Sequence, residues 1–175
     1  QPGEAWEYGL NTDVLGYFIE VISGMSLDKF LQQRLFNPLG MKDTYFFIPA
    51  SKQNRLVPLY KIDGPSQIKI QDSIIPLNGT FLRDFPNTRG GSYFSGGAGL
   101  SSTVYDYALF ATMMMNGGEL NGQRILSPYT IRLMTSNQIG NLPMWGNADN
   151  PNRFGLGFGI YTEKSELVYP VQAGT

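Results

Sequence analysis

The sequence has 175 residues, an ordinary length for one domain, and 42% of them are hydrophobic, which is enough for a sizeable core. The 13 Lys and Arg residues nearly balance the 14 Asp and Glu residues, so the net charge of −1 provides no basic footprint for nucleic acid and no polybasic patch for anionic lipid. The chain contains no Cys and no His, which excludes disulfides within it, a thiol nucleophile and every catalytic triad that uses His.

The first 40 residues predict two consecutive helices. The first is expected over 12–23, with Thr12 as its N-cap, because apolar residues recur there at helical spacing. Gly24 is expected to end it. The second helix is predicted to begin after Ser26 as N-cap and to stop at Asn37-Pro38-Leu39-Gly40.

The middle of the chain predicts short strands and irregular structure. Segments 53–60 and 67–75 are expected to form small strands or a hairpin around Asp63-Gly64-Pro65, because β-branched residues flank that turn signal. Residues 76–98 are rich in Gly, Pro, Asn and Ser, and they predict an irregular segment.

The last part of the chain predicts two helices and two strands. Thr103 is expected to cap a helix over 103–116, and Ser127 a shorter helix with Pro128 at its first position. Alternation over 154–161 predicts a strand whose glycines imply a bend or a close backbone neighbour. A second strand is expected over 166–171.

Four carboxylates are assigned structural or solvent-facing roles. Asp13, Glu20 and Asp28 are expected to be solvated on helix surfaces. Asp106 lies near a predicted helix N-terminus, where the helix dipole favours a negative charge. No calcium-loop spacing is present, and no metal-binding residue is assigned.

Without His or Cys, a hydrolase can use a Ser nucleophile activated by Lys and Tyr, in a Ser-x-x-Lys arrangement. One match is Ser26-Leu27-Asp28-Lys29. Ser26 follows a helix-ending Gly and precedes an amphipathic run, so an N-cap role is favoured over a nucleophile. No Gly-x-Ser-x-Gly motif occurs, and Gly96-Gly97-Ala98-Gly99 predicts a tight turn rather than a dinucleotide site.

Several segments, in matching order and spacing, carry a resemblance over nearly the whole chain. They are 2–10, 12–16, 20–24, 36–44, 95–107, 116–128 and 154–159. They resemble the serine β-lactamase-like superfamily, in particular class C β-lactamases and family VIII carboxylesterases, and also penicillin-binding proteins. Segment 2–10 is similar to the tyrosine motif of that superfamily, and Pro38-Leu39-Gly40-Met41-Lys42-Asp43-Thr44 to its Pro-Leu-Gly-Met-x-Asp-Thr signature.

The resemblance implies an α+β chain that is part of the β-lactamase/transpeptidase-like fold. We expect a helical subdomain from residue 1 to about 50, an irregular middle, and helices packed on an antiparallel sheet. Residues 1–175 would be a partial domain, because family members are about twice as long. Their Ser-x-x-Lys lies before the tyrosine motif, and their third motif lies beyond the matching strand. The first residues show neither an initiator Met nor a signal peptide, which also suggests a piece of a longer protein.

The resemblance assigns Tyr8 as the catalytic residue of this chain, the general base or proton shuttle of the nucleophile. Leu10, Asn11, Gly97 and Ala98 fall at its substrate-binding positions. Family members often have Asn where this chain has Leu10, and class C β-lactamases have Tyr where it has Ala98. Both departures favour a simple ester over a β-lactam or a peptide.

The function implied is that of a serine hydrolase, most simply a carboxylesterase, acting on a small-molecule ester or amide through an acyl-enzyme. No metal, organic cofactor or nucleic acid is implied, and no stretch approaches the roughly 20 apolar residues of a membrane span. The alternatives are a β-lactamase or D-alanyl-D-alanine peptidase, a non-catalytic penicillin-binding-like module, or a plain binding domain. The sequence assigns neither an oligomeric state nor a compartment, although the resemblance favours a periplasmic or secreted location.

Overall fold

The computed structural model describes residues 3–57, 60–62, 68–70 and 91–168, with backbone alone at 60–62 and 68–70. The predicted irregular segment lies outside the described residues as far as residue 90. The last three residues of the strand predicted over 166–171 also lie outside them.

Two helices at the start of the chain meet at a glycine, as predicted. Helix α1 (Asn11–Ser23) ends at Gly24, whose φ of 67° is the left-handed conformation that glycine adopts at low cost. The start of α1 differs from the prediction, because the helix begins before Thr12 and Leu10 takes the N-cap position without a side-chain hydrogen bond.

The second helical segment is irregular. Helix α2 (Leu27–Leu31) continues into a π-helical turn (Gln32–Phe36) and then into α3 (Asn37–Leu39). The irregular turn comes just before Pro38, which has no N–H to donate and whose ring clashes with a regular helical turn. The segment ends at Gly40 with φ 74°, within the predicted stop.

The remaining elements are helices and small hairpins. The further helices are α4 (Val104–Met115), α5 (Pro128–Met134) and α6 (Glu163–Glu166), with 3-10 turns at Ala50–Arg55 and Met144–Gly146. The described strands form three antiparallel pairs: β1 (Tyr60–Ile62) with β2 (Ile68–Ile70), β3 (Glu119–Leu120) with β4 (Gln123–Arg124), and β5 (Arg153–Phe154) with β6 (Gly159–Ile160). The fold class is α+β, as predicted, but each described sheet has only two strands.

The two helix caps predicted in the second half are confirmed. The hydroxyl of Thr103 accepts from the backbone N–H of Asp106 at 3.2 Å, and the hydroxyl of Ser127 accepts from that of Thr130 at 3.0 Å. Pro128 follows Ser127 at the first turn of α5, where its missing N–H costs nothing.

The strand predicted over 154–161 is a hairpin instead. Gly157 takes a φ of 87° between β5 and β6, so the chain reverses where the alternation predicts extension. At Gly155 a Cβ would lie 2.1 Å from the carbonyl oxygen of Met134, so only glycine allows the hairpin to approach the end of α5. The strand expected from 166 is also wrong at its start, since Glu166 ends α6.

The hydrophobic core lies between the second helical segment and the helices of the second half. Its buried members are Phe36, Leu39, Met41, Met113, Met114 and Ile131. Met113 is 0% exposed, whereas Met115, two residues further along α4, is 87% exposed. An antiparallel bridge between Tyr45 and Ser101 also joins the two halves of the chain.

Helix α1 buries little of its apolar surface. Six of its large apolar side chains are more than half exposed: Val14, Leu15, Tyr17, Phe18, Val21 and Ile22. On the other side of the helix Gly16 is buried in close contact with its neighbours. A Cβ at this position would lie 2.9 Å from Leu27 Cδ2 and 3.4 Å from the Cα of Gly96. The start of α1 is therefore held against the segment around Gly96.

Candidate active site

Tyr8 lies on an exposed segment that leads directly into α1. Its side chain is 72% exposed, and its ring centroid is 4.9 Å from that of Trp145 and 6.3 Å from that of Trp6. Leu10, which is 76% exposed, and Asn11 form the start of the helix itself. Three of the residues predicted for the site, Tyr8, Leu10 and Asn11, therefore lie close together in the exposed segment at the N-terminus of α1.

The glycine-rich loop 95–99 packs against this same helix start. A Cβ at Gly96 would lie 2.1 Å from the carbonyl oxygen of Thr12, and a Cβ at Gly97 would lie 2.5 Å from Asp13 Oδ2. Glycine is required at position 96, where a side chain would meet the backbone of Thr12, whereas a side chain at position 97 would displace the Asp13 carboxylate. The structure thus brings Gly97 and Ala98 to the part of α1 that begins with Leu10 and Asn11.

The loop is closed by Ser95. Its hydroxyl oxygen accepts from the backbone N–H of Ala98 at 3.1 Å, and its carbonyl oxygen accepts from Gly99 N–H at 3.1 Å. Gly97 and Ala98 line a cleft of about 400 Å³ with apolar side chains from α2 and from Phe46. The loop therefore forms one wall of an apolar cleft.

Asp13 connects the loop to α1, which the sequence did not predict. Its Oδ1 accepts from the hydroxyl of Ser95 at 2.5 Å and from that of Tyr93 at 2.8 Å. The hydrogen bond from Ser95, followed by the one from Tyr93, lowers the pKa of the Asp13 carboxyl below its ordinary value. The same contact with Asp13 raises the pKa of the Tyr93 phenol. Asp13 is thus a structural acceptor rather than the solvated carboxylate that was expected.

Glu20 also has a partner, which corrects the role predicted for Ser26. Glu20 Oε1 accepts from the backbone N–H of Leu27 at 2.7 Å, at the first turn of α2. Ser26 takes the N-cap position, but its side chain makes no capping hydrogen bond. Ser26 and Lys29 lie at the start of α2, while the ring contacts of Tyr8 are with Trp6 and Trp145. The prediction for Asp28 is also wrong, because Asp28 Oδ1 is buried and has no hydrogen-bond partner among the residues that the structure describes.

An aromatic cluster around Tyr8 was missed from the sequence. Trp145 packs edge-on against Trp6 with centroids 4.9 Å apart, and Trp6 in turn packs against Phe154 at 5.4 Å. Trp6 precedes Tyr8 by two residues, so its proximity could have been anticipated. Trp145 lies 137 positions beyond Tyr8 in an Asn-rich loop, and no local pattern there indicates a contact with Tyr8.

The backbone of Trp145 is in an unfavourable conformation. Its φ of 59° and ψ of 25° lie in the left-handed region, which costs a non-glycine residue about 1–3 kcal/mol. Gly146 follows with φ 64°, and Met144 before it is buried. The turn therefore anchors Met144 in the interior and directs the indole of Trp145, 60% exposed, toward Tyr8.

Two further findings concern only the described residues. Among them, no group of three or more acidic, Cys or His side chains is placed to hold a metal ion. No helix in those ranges has both the length and the hydropathy needed to cross a membrane.

Comparison with known proteins defines the family of this chain. The family model described as Beta-lactamase matches residues 1–171. The chain belongs to the beta-lactamase family.

Relatives within and around that family are similar over much of the chain. An uncharacterized protein of Mycobacterium tuberculosis is 29% identical over 95% of this chain and 40% of its own length. The lovastatin esterase of Penicillium rubens is 29% identical over 80% of this chain and 32% of its own length. A putative D-alanyl-D-alanine carboxypeptidase of Escherichia coli O157:H7 is 29% identical over 78% of this chain and 32% of its own length.

A solved structure confirms the fold. The hydrolase EstCE1, described as having promiscuous acyltransferase activity, matches with a TM-score of 0.78 at 24% identity, over 99% of this chain and 45% of that protein. The β-lactamase/transpeptidase-like fold predicted from the motifs is therefore correct. The chain spans less than half the length of these proteins.

Proposed function

We propose that this chain supplies part of the active site of a serine hydrolase, most simply a carboxylesterase that works through a covalent acyl-enzyme. The proposal rests on the arrangement at the start of α1. The exposed Tyr8 lies just before this helix, and the glycine-rich loop packs against the first turn of the helix. One relative is a lovastatin esterase, which supports ester hydrolysis. By the complete protein we mean this chain together with the segments that its relatives have beyond it.

In this proposal Tyr8 moves protons. The Tyr8 oxygen takes the hydroxyl proton of a serine and passes its own phenol proton to the lysine of the Ser-x-x-Lys, as that serine oxygen bonds to the ester carbonyl carbon. Tyr8 then gives a proton to the alcohol oxygen as the ester C–O bond breaks, and the lysine returns its proton to Tyr8. Water attacks the acyl-enzyme by the same route in reverse order, releasing the acid and restoring the serine. Leu10, Asn11, Gly97 and Ala98 would contact the substrate.

The serine in this scheme is not Ser26, which lies at the start of α2, after α1 in the chain. We propose that residues 1–175 form a partial catalytic domain, and that the Ser-x-x-Lys lies in a segment outside it. The chain alone is then expected to hydrolyse neither esters nor β-lactams. Labelling of Ser26 by a fluorophosphonate, accompanied by turnover, would contradict this assignment.

The runner-up function is that of a β-lactamase or a D-alanyl-D-alanine peptidase, and the relative described as a putative D-alanyl-D-alanine carboxypeptidase supports it. Leu10 and Ala98 favour the ester. The side chain of Leu10 cannot hydrogen-bond a substrate amide, and the small side chain of Ala98 leaves the site open. A non-catalytic module that keeps the fold is the candidate from another class.

The test compares substrates on the complete protein. Hydrolysis of 4-nitrophenyl esters with a kcat/KM well above that for a chromogenic cephalosporin and for a D-alanyl-D-alanine peptide is the expected result. Preference for the cephalosporin or the peptide would establish the runner-up. Turnover of none of the three, with no serine labelled, would establish the non-catalytic module.

A further inference from the structure

We propose that Trp145 forms the acyl-side wall of the site beside Tyr8, and that the preferred substrate is an ester whose acyl group is an apolar chain longer than acetyl. This inference rests on the proposed function, because it assigns the specificity of that same site.

The first observation is the contact between the two rings. The Trp145 indole lies 4.9 Å from the Tyr8 ring, tilted by 31°, and both side chains remain mostly exposed. The exposed part of the indole is therefore available to a group that binds beside the Tyr8 ring. Trp6 packs against the same indole at 4.9 Å and supports it from another side.

The second observation is the backbone conformation. Asn or Gly would adopt the left-handed conformation of residue 145 more easily than Trp does. Gly146 already supplies the flexibility that the turn needs, and Met144 supplies its anchor in the interior. A bulky aromatic residue held in an unfavourable conformation and still mostly exposed is typical of a site whose side chain contacts a ligand.

The third observation is the chemistry of the wall. Trp6, Tyr8, Trp145 and Phe154 present aromatic surfaces and carry no formal charge. The neighbouring cation, Arg153, donates to the carbonyl oxygens of Gly140, Asn150 and Asn152. Its guanidinium is therefore committed to the loop rather than directed at a carboxylate of a bound ligand. An aromatic surface of this kind favours an uncharged alkyl or aryl acyl group.

The experiment measures chain-length selectivity in the complete protein. The parent is expected to prefer 4-nitrophenyl hexanoate over 4-nitrophenyl acetate by kcat/KM. Trp145→Ala should reduce that preference at least about tenfold, mainly by raising KM for the hexanoate, since a few methylenes in an apolar site are worth that much. Trp145→Phe should retain most of the preference, because a smaller aromatic ring still covers part of the wall.

The matched control is Tyr129→Ala, which removes another exposed aromatic side chain, on α5. It should leave the hexanoate-to-acetate ratio unchanged. An unchanged ratio in Trp145→Ala, together with a lower melting temperature, would show that Trp145 only stabilises the fold and would overturn the inference.

Failure of the proposed function is distinguishable from failure of this inference. If the parent hydrolyses neither ester, the proposed function is wrong, and the wall is then tested by binding of hexanamide, an uncharged molecule with the same alkyl chain. A saturable change in tryptophan fluorescence that hexanamide produces in the parent and not in Trp145→Phe would support the wall. The same change in both proteins, or in neither, would contradict it.

Discussion

The hydroxyl of Thr44 donates to Oδ2 of Asp106 at 2.8 Å, although the two residues are 62 positions apart in the chain. The same carboxylate oxygen accepts from the backbone N–H of Asp43 at 2.7 Å, and Asp106 is 2% exposed. The Asp-Thr pair that ends the Pro-Leu-Gly-Met-x-Asp-Thr signature is thus fixed to the first turn of α4. Asp106 has the structural role that the sequence predicted. In addition to its favourable position at the helix N-terminus, it accepts hydrogen bonds from Asp43 and Thr44.

Asp106→Ala is expected to lower the free energy of unfolding by about 1–3 kcal/mol, because a buried donor left without an acceptor costs about that much. Thr44 can still bond Ser102, so most of the loss should come from Asp43 N–H. Asp106→Asn should cost less, since its amide oxygen can take the position of Oδ2. Urea denaturation measures these values. Asp149→Ala, at an exposed loop carboxylate, is the control and should change stability by less than about 0.5 kcal/mol.

The hydrogen bonds to Asp13 make stability depend on pH in the acid range. The pKa of this carboxyl is lowered below its ordinary value of 3.8, so the folded state favours the charged form. Its contribution is fully present above the unfolded pKa and is lost as pH falls through the folded pKa. The difference in melting temperature between the parent and Asp13→Asn should therefore be largest near neutrality and shrink below about pH 3.8. A difference that is constant from pH 7 to pH 2.5 would contradict the hydrogen-bonded arrangement.

Capping of α2 should depend on Glu20 rather than on Ser26. Loss of a hydrogen-bond acceptor at a helix N-terminus costs about 0.5–2 kcal/mol, so Glu20→Ala should lower stability by about that amount. Ser26→Ala should have little effect, because the Ser26 side chain makes no capping bond. Equilibrium denaturation of the two variants side by side decides between them, and a larger loss for Ser26→Ala would reverse the assignment.

Tyr8→Phe tests the proton shuttle in the complete protein. The substitution keeps the ring that packs on Trp145 and removes only the hydroxyl, so kcat should fall by about 10²–10⁴-fold while the melting temperature hardly changes. Steady-state kinetics and a melting curve on the same preparation provide both readings. A nearly normal kcat would show that the phenol packs against Trp145 without taking part in the reaction.

Local patterns predicted the parts of the fold that depend on neighbouring residues. Gly24, Thr103 and Ser127 end or begin helices where the sequence places them, because each acts within four residues of itself. The prediction of a strand over 154–161 was wrong because Gly155 packs against the carbonyl of Met134. The alternation of residue types along the segment does not indicate this contact.

In the candidate site, too, local motifs were predicted and contacts between distant residues were not. Tyr8 and the glycine-rich loop were predicted from motifs, but Asp13 was assigned to solvent because its acceptor role depends on Ser95, which is 82 residues away. Trp145 was missed for a similar reason, since only the turn that follows buried Met144 directs it toward Tyr8. Distant partners of this kind become visible only when the chain is folded.

The two methionines at the end of α4 should differ in their susceptibility to oxidation. Met115 is 87% exposed and Met113 is 0% exposed, although one residue separates them. Dilute hydrogen peroxide should convert the Met115 thioether to the sulfoxide readily, whereas Met113 can react only when the core around it opens. Peptide mass spectrometry of this one segment, taken over time, would therefore report how often the interior of the protein is exposed to solvent.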